Sequence, residues 1–337
     1  MVNTGTTLKP APQIAVLIPC YQEEPTVGKV VADFRHQLPG ATIYVYDNNS
    51  TDRTAEEARK AGAVVRKEKR QGKGYVVASM LEQVDADIYV LVDGDDTYHA
   101  PSVKRLIAPL LAEEADMTVA SRLGASDEKS FRRFHQLGNQ LVCRAINLIF
   151  HSEIRDIFSG YRALTRELAK SVPVVARGYD VETELTLQTL YRRYVIQEIS
   201  APYGLRPEGS TSKLRTVPDG LKVLLRMFML FQSYKPLTLF GTAAILAFIC
   251  ALLAGYTPVV EYIDFRYVYS VPRAVLAAAL MTISLLSAAV GIILHSVNFR
   301  LLEVEKIMSK QAGKGPHMGL RRGGAPSGSR RARTRNR

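Results

Sequence analysis

The sequence has no tryptophan and only three cysteines, Cys20, Cys143 and Cys250, in 337 residues. The cysteines are widely spaced, odd in number and without a CxxC pair. That excludes a disulfide framework and suits a reducing compartment, and all three read as packing residues. No GxxxxGK[ST] segment occurs, so the Gly-rich, basic stretch QGKGYV at Gln71–Val76 is not a P-loop. The basic C-terminal tail is accompanied by no recognition motif and no interleaved aromatic residues, the marks of a nucleic-acid surface, and no nucleic-acid partner is expected. The net charge of +12 is local: from Val297 to Arg337 there are 11 Lys/Arg against 2 Asp/Glu, which supplies +9 of it. The closing stretch, GGAPSGSRRARTRNR, is too rich in Gly, Ser and Arg to build a core and is expected to be disordered. The segment before Ile14 is short and polar and carries no secretory pattern.

What the chain does have is apolar length. Leu237–Tyr256 and Ala274–Leu294 are uncharged runs of about 20 residues, roughly enough to cross a 30 Å hydrocarbon core. Buried core helices are the alternative, but Gly, Ala, Leu and Ile lie on every face with no polar stripe. The connection Thr257–Arg273 is too short for a domain, so two spans return the chain to its starting side. Cationic residues before and after the pair put both termini in the cytosol, with the basic tail drawn to anionic lipid. Small residues on the spans permit close packing and a homo-oligomer. Just before them, Leu221–Lys235 mixes Leu, Met and Phe with Lys222, Arg226 and Lys235. It reads as an interfacial amphipathic helix, with a core helix as the alternative.

The first 125 residues alternate strand and helix signals. Strands are expected at Ile14–Pro19, Thr42–Asp47, the AVVRKE stretch, Asp87–Asp93 and Asp116–Arg122. Helices fall between them, the first with Val27, Val30, Val31 and Phe34 on one face. This order predicts a doubly wound, mostly parallel α/β sheet whose ligands bind beyond the carboxyl ends of its strands. Ser126–Lys213 is less regular and reads as the acceptor-side half of the same domain.

VLVDGDDT, Val90–Thr97, is the strongest motif. A buried strand ends in three carboxylates, which repel unless a cation neutralises them. Oxygen ligands of this kind suit Mg²⁺ or Mn²⁺, although an acidic turn has the same composition. PCYQEEP offers Tyr21 for stacking and Glu23 for hydrogen bonding. YDNNSTDRT offers Asp47 and Asn48 to a base edge or ribose, while Thr51 and Asp52 suit a helix cap. Lys73 reads equally as a phosphate contact or as a solvated loop lysine.

IPCYQEEPTVGKVV, YDNNSTDRT and LVDGDDTY, in this order and spacing, resemble glycosyltransferase family 2 and its GT-A fold. RDIFSGYRALTRE at Arg155–Glu167 and RPEGSTSKL at Arg206–Leu214 resemble the dolichyl-phosphate mannose and glucose synthase branch. The resemblance covers about residues 13–235, and a C-terminal hairpin of two spans also resembles polyprenyl-phosphate glucosyltransferases of that branch. It implies an N-terminal tail (1–12), a cytosolic GT-A domain (13–214), a juxtamembrane amphipathic helix (215–235), a transmembrane hairpin (236–296) and a basic tail (297–337). Carried over position by position, it makes Asp93 and Asp95 the carboxylates for metal and diphosphate. Pro19, Tyr21, Glu23, Asp47, Asn48, Lys73 and Gly94 would line the nucleotide-sugar pocket. Arg122, Arg132, Arg206, Ser212 and Lys213 would meet donor or acceptor phosphates. Asp156, Ser159 and Arg162 would sit near the sugar and acceptor, with Asp95, Asp156 and Arg162 in catalytic roles. Thr97 replaces a glutamine usual in the metal site, and Asn48 stands where an aspartate is usual.

The implied reaction is inverting, metal-dependent transfer of a hexose from a nucleotide sugar to polyprenyl phosphate, with UDP-hexose favoured over GDP-mannose. An acceptor phosphate is largely dianionic near pH 7, so no strong base is required. Asp156 would orient Arg162 or a sugar hydroxyl, or else act as a base. A processive polysaccharide synthase resembles this pattern too, but its QxxRW motif cannot exist without tryptophan. A non-catalytic nucleotide-sugar-binding scaffold would be expected to have lost its acidic motif, which is intact here.

Overall fold

Strict alternation in the first strand, β1 (Ile14–Cys20), divides the interior into two layers. Val16, Ile18 and Cys20 join one apolar cluster with Val27, Val30, Val31 and Phe34 of α1 (Val27–Gln37) and with α4 (Val103–Leu111). Ala15 and Leu17 point the other way, into a cluster with α3 (Lys73–Gln83), α6 (Arg166–Ser171) and α7 (Val181–Tyr191). Helices therefore cover both faces of the sheet, the arrangement of a doubly wound α/β fold. The computed structural model describes residues 11–122, 131–178, 180–204, 207 and 232–311.

The sheet has seven strands in the order β3-β2-β1-β4-β6-β5-β7. Beyond β1 these are β2 (Thr42–Asp47), β3 (Val64–Lys67), β4 (Ile88–Leu91), β5 (Met117–Ser121), β6 (Arg162–Thr165) and β7 (Ile196–Ser200). All neighbours pair in parallel except β6, which is antiparallel to both β4 and β5. α2 (Thr54–Lys60) follows β2, and α5 (Phe131–Phe150) lies between β5 and β6. The fourth strand ends at Leu91, two residues short of the expected Asp93, so the acidic motif occupies the turn and not the ladder.

α8 (Pro236–Phe265) and α9 (Val271–Gln311) are the two long apolar helices. They run past the expected spans at both ends. Their apolar stretches, Pro236–Phe265 and Val271–Val304, have mean hydropathies of 2.4 and 2.3 and are long enough to cross a membrane. The hairpin closes on small residues. Ser284 donates a 2.8 Å hydrogen bond to the Ala244 carbonyl, and Gly291 lies against Phe240. At the turn, Glu261 accepts bonds from the Tyr269 and Ser270 amides and the Ser270 hydroxyl, each 2.9 Å. Cys20 and Cys143 are buried as expected, whereas Cys250 on α8 is exposed among the described residues. The chain divides after His295 into two compact units, with the end of α9 in the second. Arg206, Ser212, Lys213, most of Leu221–Lys235 and residues 312–337 lie outside the described residues, as does the side chain of Arg132 on α5.

Candidate active site

One edge of the sheet collects the chemistry. β1, β2 and β4 point their carboxyl ends there and deliver Tyr21 and Glu23, Asp47 and Asn48, and Asp93 and Asp95. β6 runs the other way, with Arg162 opposite Leu91, so the Asp156–Tyr161 segment ahead of it arrives at the same edge. β5 and β7 contribute Arg122 and Tyr203 from beyond their carboxyl ends. The antiparallel strand is what brings the two halves of the sequence motif set together.

Asp93 is part-exposed, with Oδ1 held 2.5 Å from Lys73 Nζ. The same ammonium lies 2.5 Å from Glu182 Oε1 on α7. Burial disfavours the charged lysine, but the two carboxylates outweigh it and raise its pKa above the usual value. Lys73 is thus neither a solvated loop lysine nor an uncommitted phosphate ligand. Its flanking glycines serve packing: a Cβ on Gly72 would lie 2.0 Å from the Arg177 carbonyl, and one on Gly74 2.1 Å from that of Ala176. Gly72 also has φ of 139°, a conformation other residues rarely adopt. The QGKG sequence therefore lets a backbone strap pass against the first turn of α3.

Asp95 differs from Asp93. It is 3% exposed, and its Oδ1 accepts the Thr97 hydroxyl at 2.6 Å and the Thr97 amide at 3.3 Å. Thr97 thus occupies one carboxylate oxygen from within the motif. Gly94 between them is tightly fitted: its carbonyl accepts the Thr26 hydroxyl at 2.6 Å, and a Cβ would meet Cys20 Sγ at 2.6 Å. Asp96 has positive φ and pairs with Lys29 at 2.8 Å.

After β1 and β2, Glu23 and Asp47 are buried and Pro19 and Tyr21 half-buried. Asp47 Oδ1 accepts the Ser50 amide at 3.1 Å, which shapes the turn after β2. Asn48 does not offer itself to a base edge or ribose. It is buried, its amide donates to the Glu68 and Arg70 carbonyls at 3.1 and 2.7 Å, and its Oδ1 accepts the Gly72 amide at 2.7 Å. An amide both donates and accepts, so asparagine can tie this loop where a carboxylate would face two carbonyls. Neither Thr51 nor Asp52 is the N-cap of α2, which is Arg53 without a side-chain cap, although Asp52 one residue earlier accepts the Thr54 amide at 3.0 Å.

At the end of the site formed by β5, β6 and β7, Asp156 hydrogen-bonds Arg122 and not Arg162. Arg122 Nε and Nη2 reach the two carboxylate oxygens at 2.8 Å each, and the Arg122 amide adds a bond at 3.1 Å. Burial opposes ionisation of Asp156, but the bidentate arginine prevails and holds its pKa below the usual carboxylate range. Arg122 also stacks over Tyr203, 5.5 Å from the ring centre. Arg162, expected beside the sugar, is 1% exposed. Its guanidinium donates to the carbonyls of Ser159 and Ile157 and to the Thr186 hydroxyl, so it braces the loop from inside. Ser159 is likewise buried, donating to the Ala120 carbonyl at 2.6 Å. Two residues without a motif of their own complete the edge: Glu182, already described, and Glu198 on β7. Glu198 Oε1 accepts the Arg155 and Asp156 amides at 2.8 and 2.9 Å. Their partners are distant in sequence, and no local pattern marks them.

A doubly wound sheet with acidic turns at the ends of β1, β2 and β4, crossed by one antiparallel strand, defines a GT-A-type glycosyltransferase. The family 2 glycosyl transferase profile matches residues 15–172. The glycosyltransferase AglJ of Haloferax volcanii is 32% identical over 68% of this chain and 75% of its own length. The dolichyl-phosphate hexose transferase of the same organism is 29% identical over 62% of this chain and 90% of its own. A crystal structure of glucosyl-3-phosphoglycerate synthase from Mycobacterium tuberculosis, in complex with Mn²⁺, UDP and phosphoglyceric acid, superimposes with a TM-score of 0.54 at 25% identity. It covers 66% of this chain and 78% of that one. The chain belongs to glycosyltransferase family 2 and is a glycosyltransferase.

Proposed function

We propose that the enzyme transfers a hexose from a nucleotide sugar, with UDP-hexose as the first candidate and GDP-mannose as the second, to the phosphate of a polyprenyl phosphate. One observation carries the reading: the acidic, nucleotide-type sheet edge belongs to a chain that continues into two helices long and apolar enough to cross a bilayer. An acceptor whose phosphate sits at the headgroup level meets such a site without leaving the membrane. The dolichyl-phosphate hexose transferase among the relatives supports a lipid-phosphate acceptor. Two spans bring the chain back to the side it left, so the catalytic domain and both termini share the cytoplasmic face.

The site suits a divalent cation such as Mg²⁺ or Mn²⁺. Its donors are oxygens, and Gly160 lets the Asp93 carboxylate lie directly against the backbone, where a Cβ would fall 2.5 Å from Oδ2. Among the described residues no three His, Cys, Asp or Glu form a protein-only cage. That donor set matches an ion held by one or two carboxylates, with phosphate and water as the other ligands. Asp93 and Asp95 would hold it, and its chemistry would be to offset charge on the departing diphosphate. Glu23 and Asp47 would fix the nucleoside, and Arg122, with Asp156 fixing its plane, would face phosphate. Because Asp156 is committed to Arg122, it orients; the acceptor dianion needs no base. Direct attack at the anomeric carbon inverts its configuration.

The test is to incubate the purified full-length protein with polyprenyl phosphate, Mn²⁺ or Mg²⁺ and a panel of nucleotide sugars, followed by mass analysis of the lipid. A lipid-phosphate hexose from at least one donor is expected. No lipid product from any donor would overturn the reading.

A further inference from the structure

We propose that Glu182 is a positioning residue that acts through Lys73: it keeps the ammonium anchored when Asp93 exchanges it for a divalent cation, leaving Lys73 to face the donor diphosphate. This rests on the metal-dependent reading above.

The argument begins with the number of partners. Lys73 Nζ is 2.5 Å from both Asp93 Oδ1 and Glu182 Oε1, and all three side chains are shielded, with 15, 27 and 8% exposure. A shielded ammonium is costly unless paired. If Asp93 were its sole anion, a cation arriving at Asp93 would have to strip Lys73 of that pairing and then sit beside a like charge. Glu182 removes the conflict. Lys73 can release Asp93 and remain paired, with its other N–H groups turned to phosphate.

α7 is built to hold this arrangement. Its residues from Val181 to Thr189 are all buried, so Glu182 has a fixed backbone. Two residues on, Glu184 accepts the amides of Val175 and Ala176 at 3.1 and 2.6 Å. The Ala176 and Arg177 carbonyls are the ones that Gly74 and Gly72 accommodate. One helix therefore grips the lysine side chain through Glu182 and, through Glu184, the backbone strap behind the turn that carries it. A mere helix-start acid would need neither burial nor an ion pair.

Mn²⁺ binding to the full-length detergent-solubilised protein, with and without UDP, is followed by electron paramagnetic resonance alongside melting temperature. Glu182→Gln leaves Lys73 with Asp93 alone, so Mn²⁺ affinity should fall roughly 10- to 100-fold, with the KM for Mn²⁺ rising more than kcat falls. Adding Lys73→Met to Glu182→Gln removes the competitor, and Mn²⁺ affinity should return to wild-type level or above while UDP affinity falls below wild type with the loss of the ammonium. Glu182→Asp, which keeps the charge but shortens the reach, should lie in between, and it serves as the test if Glu182→Gln does not fold. Wild-type Mn²⁺ affinity in Glu182→Gln or, if that does not fold, in Glu182→Asp overturns the inference. So does a double variant no better than Glu182→Gln. Both outcomes leave the transfer reading intact. A wild-type protein that takes up no Mn²⁺ even with UDP overturns the metal reading and the inference together.

Discussion

Gly160 lies against the carboxylate of Asp93: a Cβ there would fall 2.5 Å from Oδ2 and 2.9 Å from Cγ. The glycine of the segment ahead of β6 thus sets where the first acidic residue of the other motif can sit. Gly160→Ala should displace that carboxylate while leaving the fold in place. Glycosyl transfer should drop about 100-fold, the cost of roughly an ångström of misplacement, with little change in melting temperature. A wild-type rate would show that Asp93 can move aside freely.

Arg122→Ala strands a buried carboxylate. Asp156 is 2% exposed and loses its bidentate partner, so stability should fall by about 3 kcal/mol at neutral pH. The pH dependence has a definite sign. Asp156 titrates below its ordinary value in the folded protein, so its pairing stabilises above the carboxylate range and is lost as pH falls through the lowered pKa. Urea titrations at neutral and acid pH should therefore show the gap between wild type and variant narrowing with acid. A gap that is constant across pH counts against the pairing.

Asn48→Asp would place a carboxylate against the Glu68 and Arg70 carbonyls. It should cost about 1–3 kcal/mol and raise the KM for the nucleotide sugar as the loop it ties, Glu68–Gly72, loosens. Denaturant midpoints and donor kinetics decide this, and an unperturbed variant would show that the aspartate usual in the family is tolerated here.

Glu68 supplies a separate acid-sensitive element. Hydrogen bonds from the Arg70 side chain, with help from the Ser79 hydroxyl, take its pKa from 4.5 to about 2. That stabilisation is complete above about pH 4.5 and disappears as pH falls toward 2. In urea titrations the advantage of wild type over Glu68→Gln should shrink across that window. An advantage that stays flat would exclude the lowered pKa.

In the hairpin, Gly291→Leu inserts a side chain where a Cβ alone would already be 3.1 Å from Phe240 Cβ. α8 and α9 should separate locally, and the melting temperature in detergent should drop by several degrees, with transfer to a short-chain soluble acceptor analogue largely retained. An unchanged melting temperature would argue against this packing.

Much of this fold was legible because its first half is built from local signals. β2 runs from Thr42 to Asp47 as its apolar pattern predicts, and α1 buries the four residues on its expected face. The acidic motifs fall at strand ends because a buried strand cannot contain them. The second half was opaque because its contacts are long-range. Nothing near Asp156 reveals that its partner is Arg122, 34 residues earlier. Arg162 looked like a site residue from its motif, yet the polar groups that satisfy it face inward. Glu182 sits in a helix whose buried face includes polar side chains, so no amphipathic stripe separates a functional acid from a surface one.

The place of β6 also governs the order in which the enzyme can assemble. β1 to β4 form a parallel group whose pairings with one another are complete once residue 91 has been made, although the free edge of β4 still awaits β6. β5, next in sequence, pairs only with β6 and β7, both still to come. A growing chain therefore carries Met117–Ser121 as an unpaired strand until residue 165 emerges. The parallel half can settle first, while the second half waits on a strand that arrives late and closes the gap from within.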